Sequence, residues 1–146
     1  MSIKAALHEY LASKASVTNL VPADRIVRGK RPAGTPLPCV TYSRPSWVDD
    51  NHQGGSSGKV MNRIQLDIWG TSDGQVDTIR AALRNVLHGL QHTTIGTGDN
   101  ATAVECGLCE NATDSIEWPE DGTDPARFSC SIDWVVYYET AIPDFM

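Results

Sequence analysis

Cys106-Gly107-Leu108-Cys109 has the spacing at which two thiolates can share a zinc ion or cycle between dithiol and disulfide. His88 and His92 stand four residues apart, so the ligand types of a Cys2His2 site are all present in one stretch. The surroundings work against both chemistries. If residues 103–109 are extended, Cys106 and Cys109 point to opposite faces, and Gly89 ends the preceding helix before His92 can share a face with His88. A redox pair needs this motif at the opening of a helix, where the dipole lowers the thiol pKa; here the composition reads as strand or loop. These four residues are carried as an alternative zinc or thiol-redox site. The cysteines at 39, 106, 109 and 130 are read first as reduced, mostly buried small hydrophobes.

The rest of the chain holds no catalytic pattern. There is no G-x-S-x-G elbow, P-loop or G-x-G-x-x-G, and Gly54-Gly55-Ser56-Ser57-Gly58 lacks the lysine and the helix of a phosphate cradle. Asp67 and Asp133 fall on the polar sides of amphipathic strands, which makes them solvated charges rather than a carboxylate pair. Arg25, Arg28, Lys30 and Arg31 form a small basic cluster. The formal charge of −6, from 12 Lys+Arg against 18 Asp+Glu, argues against a surface that grips phosphate backbones. No cofactor and no enzymatic activity are expected.

The elements that would carry any surface chemistry centre on residues 63–90. Ile64, Leu66 and Ile68 alternate with Arg63, Gln65 and Asp67, the pattern of a half-buried strand. Val76, Ile79, Leu83, Val86, Leu87 and Leu90 then wind into one stripe of a helix, whose start is marked by Ser72 and Gln75 in capping-box spacing. Burying that stripe contributes roughly 10–15 kcal/mol gross, before conformational entropy. Ile3, Ala6, Leu7, Tyr10 and Leu11 predict a first helix over 2–14; Val17, Leu20 and Val21 continue the apolar signal weakly until Pro22 ends it. Residues 24–27 read as a short link, and the proline-rich 28–38 as an irregular connector. A short strand over 39–43 precedes a long polar stretch, 45–62, read as a mobile loop or as the tip of a long hairpin, and 103–106 reads as a further strand. Residues 111–125 are acidic and turn-rich, with one apolar anchor at Trp118. The last strand alternates through Phe128, Cys130, Ile132, Trp134, Val136 and Tyr138. Val135 and Tyr137 make its far end apolar on both faces, so that end should be covered by another element or another subunit.

The expected fold is therefore α+β: a mainly antiparallel sheet of about four strands with two helices on one face, in the order α-β-β-α-β-β. At 146 residues it forms a single domain, 1–146, large enough for a core without disulfide staples. No apolar run approaches the roughly 20 residues of a membrane span, and the N-terminus opens an amphipathic pattern rather than a signal peptide. The chain is expected to be made in the cytosol, with no membrane partner.

In order and spacing, these pieces resemble the bacteriophage tail-completion proteins, of the tail-terminator or tail-to-head joining type. The resemblance is carried by the first helix ending near Leu11, the Asp24-Arg25-Ile26 link, and the run into Pro38-Cys39-Val40-Thr41-Tyr42. It continues through the strand 63–69, the helix 76–90 and the closing strand 127–138. It implies a virion structural protein at the head-proximal end of the tail, assembled in the host cytoplasm. Such a subunit packs into a ring, a hexamer, that caps the tail tube and docks to the head connector. The implied partners are further copies of itself, the tail tube protein, a head completion or connector protein, and DNA passing through the channel without specific binding. A cyclic ring needs two different patches on each subunit. Trp47, Asp49, Asp50, His52, Lys59, Trp118, Val135 and Tyr137 are the residues expected at its interfaces or lumen, and net negative charge would suit a channel through which DNA slides. A monomeric α+β ligand-binding module is a third reading.

Overall fold

The computed structural model describes residues 3–29, 36–52, 55–117 and 127–139. In chain order these form α1 (Ile3–Ala12), α2 (Ala15–Thr18), a 3-10 turn at Ala23–Arg25, β1 (Ile26–Arg28), β2 (Cys39–His52), β3 (Gly55–Gly70) and α3 (Asp73–Leu87). There follow β4 (Leu90–Ile95), a 3-10 turn at Gly98–Asn100, β5 (Thr102–Glu117) and β6 (Arg127–Glu139). Among the described residues the strands form one six-stranded sheet in the order β1-β2-β3-β6-β5-β4. Every neighbouring pair is antiparallel except β1 and β2, which run parallel with Ile26 opposite Val40.

The expectation of a four-stranded antiparallel sheet in the order α-β-β-α-β-β is thus corrected to a mixed sheet of six strands. The missed strands have physical reasons. β1 is three residues long, too short to display any period, and is held by Ile26 against the edge of β2. The helical spacing extends to Leu90, but α3 stops at Leu87, with His88 as its C-cap and Gly89 at φ 81°. Glycine takes that conformation without the Cβ clash other residues suffer, so Leu90 opens β4.

Of the two readings of 45–62, a long polar loop or the tip of a long hairpin, the loop is corrected and the hairpin forms. β2 and β3 continue as one long hairpin, paired out to His52 opposite Gly55 with irregularities after Ser43 and Asp49. At the other end β5 and β6 pair out to Glu117 opposite Arg127, across much of the segment expected to be turns. Both outer stretches lack an apolar period, and among them residues 110–116 are exposed. The ladder itself satisfies their backbone groups.

The core lies between one face of this sheet and the helices. Ile3, Ala6, Leu7 and Leu11 of α1 and Val76, Ile79, Leu83 and Leu87 of α3 are buried against Val40, Ile64, Leu66, Ile68, Ile132, Trp134 and Val136. The Tyr10 hydroxyl donates to the Val86 carbonyl at 2.7 Å, tying α1 to α3. Ser72 caps α3 as its spacing predicts, its Oγ accepting from the Gln75 amide at 3.1 Å. Gln75 does not close the box on Ser72; its Oε1 accepts from the Thr71 amide at 2.9 Å instead.

Candidate assembly surface

All the buried helix residues share the sheet face that carries Ile64, Trp134 and Val136. Alternation along each strand sends the neighbours of those residues to the opposite face. At the α3 end this second face is polar. Asp67 Oδ1 accepts from Gln65 Nε2 at 2.9 Å and from Ser131 Oγ at 2.5 Å, so Asp67 works as a hydrogen-bonding hub between β3 and β6. Further along, Arg63, Val135 and Leu108 line up across β3, β6 and β5. The Arg63 guanidinium bridges Asp133 at 3.3 Å and Glu110 at 3.4 Å, spanning three strands with one side chain. Partly exposed pairs of this kind add little stability, typically under about 1 kcal/mol, but they orient the side chains around them.

Beyond Arg63 the face turns apolar. Val135 is 2% exposed, whereas its neighbours Leu108 and Tyr137 are 37% and 43% exposed. Ile116, 51% exposed, is not part of this patch: it lies opposite Phe128 at the other end of β5, on the helix-bearing face. The second-face apolarity expected from Val135 and Tyr137 is therefore real, and Leu108 extends it.

The remaining singled-out residues scatter. Trp47, Asp49 and His52 lie on β2 at the positions opposite Asn62, Val60 and Gly55, and Asp50 falls in the irregularity beside Asp49. Their side chains, like Trp118 as a whole, lie outside the described residues. Lys59 is exposed and pairs across the ladder with Glu139.

The cysteine motif divides between the two faces. Cys106 pairs with exposed Tyr137, and Cys109 with fully buried Trp134. His88 Nδ1 accepts from the backbone amide of Cys109 at 3.0 Å, so that nitrogen is already engaged, and His92 sits exposed on β4 at φ 45°. Among the described residues no three His, Cys, Asp or Glu side chains converge as metal ligands. Burial pushes the Cys109 thiol up to about 11. It does the same to Cys130, also to about 11, with Asp114 alongside adding to the shift. Raised thiol pKa values oppose nucleophilic chemistry, which needs the thiolate. Glu9 of α1 accepts from Asn100 Nδ2 at 2.9 Å, from the Thr97 amide at 2.6 Å and from Thr97 Oγ1 at 3.1 Å. These bonds, the Asn100 one foremost, hold its carboxyl below the usual range.

Residues 5–136 match the family model described as tail completion protein gp17. No curated protein matches the chain in sequence. Among solved structures, a chain of the virion of a native gene transfer agent particle superposes with a TM-score of 0.66 at 14% identity, with 94% of each chain covered. At that identity the likeness is one of fold.

Proposed function

The chain belongs to the tail completion protein gp17 family and is a structural tail protein of phage-type virions, and from that premise we propose that it acts as a closed ring, a hexamer. The ring terminates the tail tube at its head-proximal end and joins it to the head connector. No catalytic group takes part. The observation that carries this reading is the helix-free sheet face with Leu108 and Tyr137 exposed around buried Val135. Apolar side chains exposed on that second face suit a subunit that works inside an assembly, where other components of the tail end cover them, better than a self-contained monomer. The Asp67, Asp133 and Glu110 carboxylates on the same face, with the net charge of −6, would let DNA slide past without phosphate binding.

Native mass spectrometry of the purified chain, with electron microscopy of tails that carry it, tests the proposal. A hexamer in solution, or a six-fold ring at the tail end, is the expected result. A strict monomer in solution together with no ring on tails would overturn it.

A further inference from the structure

The two edges of the sheet are both stepped, and the steps are complementary. On one side β1 covers β2 only at residues 40–42, so among the described residues β2 beyond Tyr42 pairs with β3 alone. On the other side β4 covers β5 at residues 102–107, and among the described residues β5 beyond Gly107 pairs with β6 alone. The uncovered stretches, 43–52 and 108–117, are equal in length and lie at opposite ends of the sheet. Because β2 and β5 run in opposite directions, the β2 edge of one copy meets the β5 edge of the next as an antiparallel pair. With the next copy displaced along the strands, β4 of the first sits above the β2–β3 tip of the second. β1 of the second then sits below the β5–β6 tip of the first, and neither step clashes.

Resting on the ring reading above, we propose that successive subunits join by this β2-to-β5 edge pairing, so that the sheet runs on from copy to copy. The backbone says which groups are offered. The Cys109 amide turns away from β6 to reach His88 Nδ1, and alternation along the ladder sends the amides of Asp114 and Ile116 outward as well. On β2 the Tyr42 carbonyl turns outward to the Gly29 amide, which by the same alternation along β3 places Trp47 and Asp49 on the open side. Matching open-side groups and sheet faces sets Trp47 opposite Asp114, and Ser46 opposite Ser115 of the adjoining copy. The two edges of one subunit differ, so the contact is head-to-tail, the kind that closes into a ring when the rotation allows. Unpaired strand edges are avoided in monomers because they recruit other strands, and here each edge has a partner of the right length and polarity.

Proline scanning on β5 with cysteine cross-linking tests the pairing. Asp114→Pro removes an outward amide and should abolish the ring while the monomer keeps its fold by circular dichroism. Asp114→Ala keeps the amide and should still assemble. Thr113→Pro removes an inward amide and should unfold the chain. In a Ser46→Cys/Ser115→Cys variant the two sites of one subunit are separated by β3 and β6, roughly 14 Å across the sheet at the usual strand spacing, and by a further offset along the strands because Ser46 registers with Leu108, so they are beyond the reach of a disulfide. Oxidation should therefore give a ladder of covalent oligomers. A ring that persists in Asp114→Pro, with no such ladder, would overturn the edge pairing and leave the ring reading standing. Wild-type protein that forms no ring on tails or in solution would overturn both.

Discussion

Gly107 lies directly beneath the indole of Trp134: a Cβ built on it would come within 2.8 Å of Nε1 and 3.0 Å of Cζ2. The indole cannot swing clear, because it is fully buried and its Nε1 donates to the Leu87 carbonyl at 3.2 Å. The glycine of the Cys106–Cys109 motif is therefore required by packing between β5, β6 and α3, whatever the cysteines do. Gly107→Ala should destabilise by about 1–3 kcal/mol through overpacking. The same change in a Trp134→Phe background should cost clearly less, and urea denaturation of the four proteins in the cycle measures the coupling.

Thiol labelling separates a structural from a redox reading of the same motif. With Cys39 fully buried and the Cys109 and Cys130 thiols pushed up to about 11, a brief pulse of iodoacetamide near pH 7.5 should modify Cys106 well ahead of the other three. Peptide mass spectrometry reads the order. Fast modification of Cys109 would reopen the dithiol chemistry that its placement beside Trp134 opposes.

Inside the core, Asn62 Nδ2 donates to the Tyr138 hydroxyl at 2.5 Å, while Asn62 Oδ1 is buried with no partner. Asn62→Ala should cost roughly 2–3 kcal/mol, since it opens a cavity and takes a donor from a buried hydroxyl. Replacing both polar groups, as Asn62→Leu with Tyr138→Phe, should recover most of that loss. A double variant as unstable as Asn62→Ala would show that the pair does more than satisfy itself.

How much of this was legible follows from what each strand buries. β3, α3 and β6 can be read because Ile64, Leu66 and Ile68, the Val76–Leu87 stripe, and Cys130, Ile132 and Trp134 all face one core, so period and burial coincide. β5 beyond Glu110 leaves that core, and there, as in the sequence of β2 beyond Tyr42, the polar residues give no period although the ladder persists. The parallel Ile26–Val40 pairing depends on a connector crossing the sheet, which no local pattern encodes. On the assembly surface Val135 and Tyr137 stand out as apolar residues at polar positions of an alternating strand. The open edges of β2 and β5 leave no such trace, because every residue type except proline carries the same backbone amide and carbonyl.

Acid should loosen α1 from the turn at Gly98–Asn100. The Glu9 carboxyl is held below its ordinary value of 4.5 by Asn100 and Thr97. A depressed folded-state pKa gives stability that is present above the unfolded value and lost as pH falls through the folded one. The urea midpoint of wild type should therefore drop on acidification below about pH 4.5 by more than that of Glu9→Gln, which cannot titrate. Parallel acid limbs in the two proteins would mean that Glu9 is not linked to folding.

Charge on the two open edges makes a last prediction about assembly. Residues 108–117 carry Glu110, Asp114 and Glu117, and residues 43–52 carry Asp49 and Asp50 against Arg44. Bringing these edges together crowds carboxylates, so subunits should repel at low salt and associate more readily as the screening length shrinks from about 30 Å at 0.01 M to about 10 Å at 0.1 M. This is the reverse of the salt response of a protein that binds nucleic acid through phosphates, which weakens steeply over the same range. Such repulsion would keep free subunits apart until a tail end gathers them. Light scattering across a salt series should show the oligomer growing with ionic strength, and Asp114→Asn should flatten that dependence while leaving the edge amide in place. An oligomer that dissociates as salt rises would instead mean that attraction between unlike charges holds the ring, which the acidic pairing of β2 with β5 does not supply.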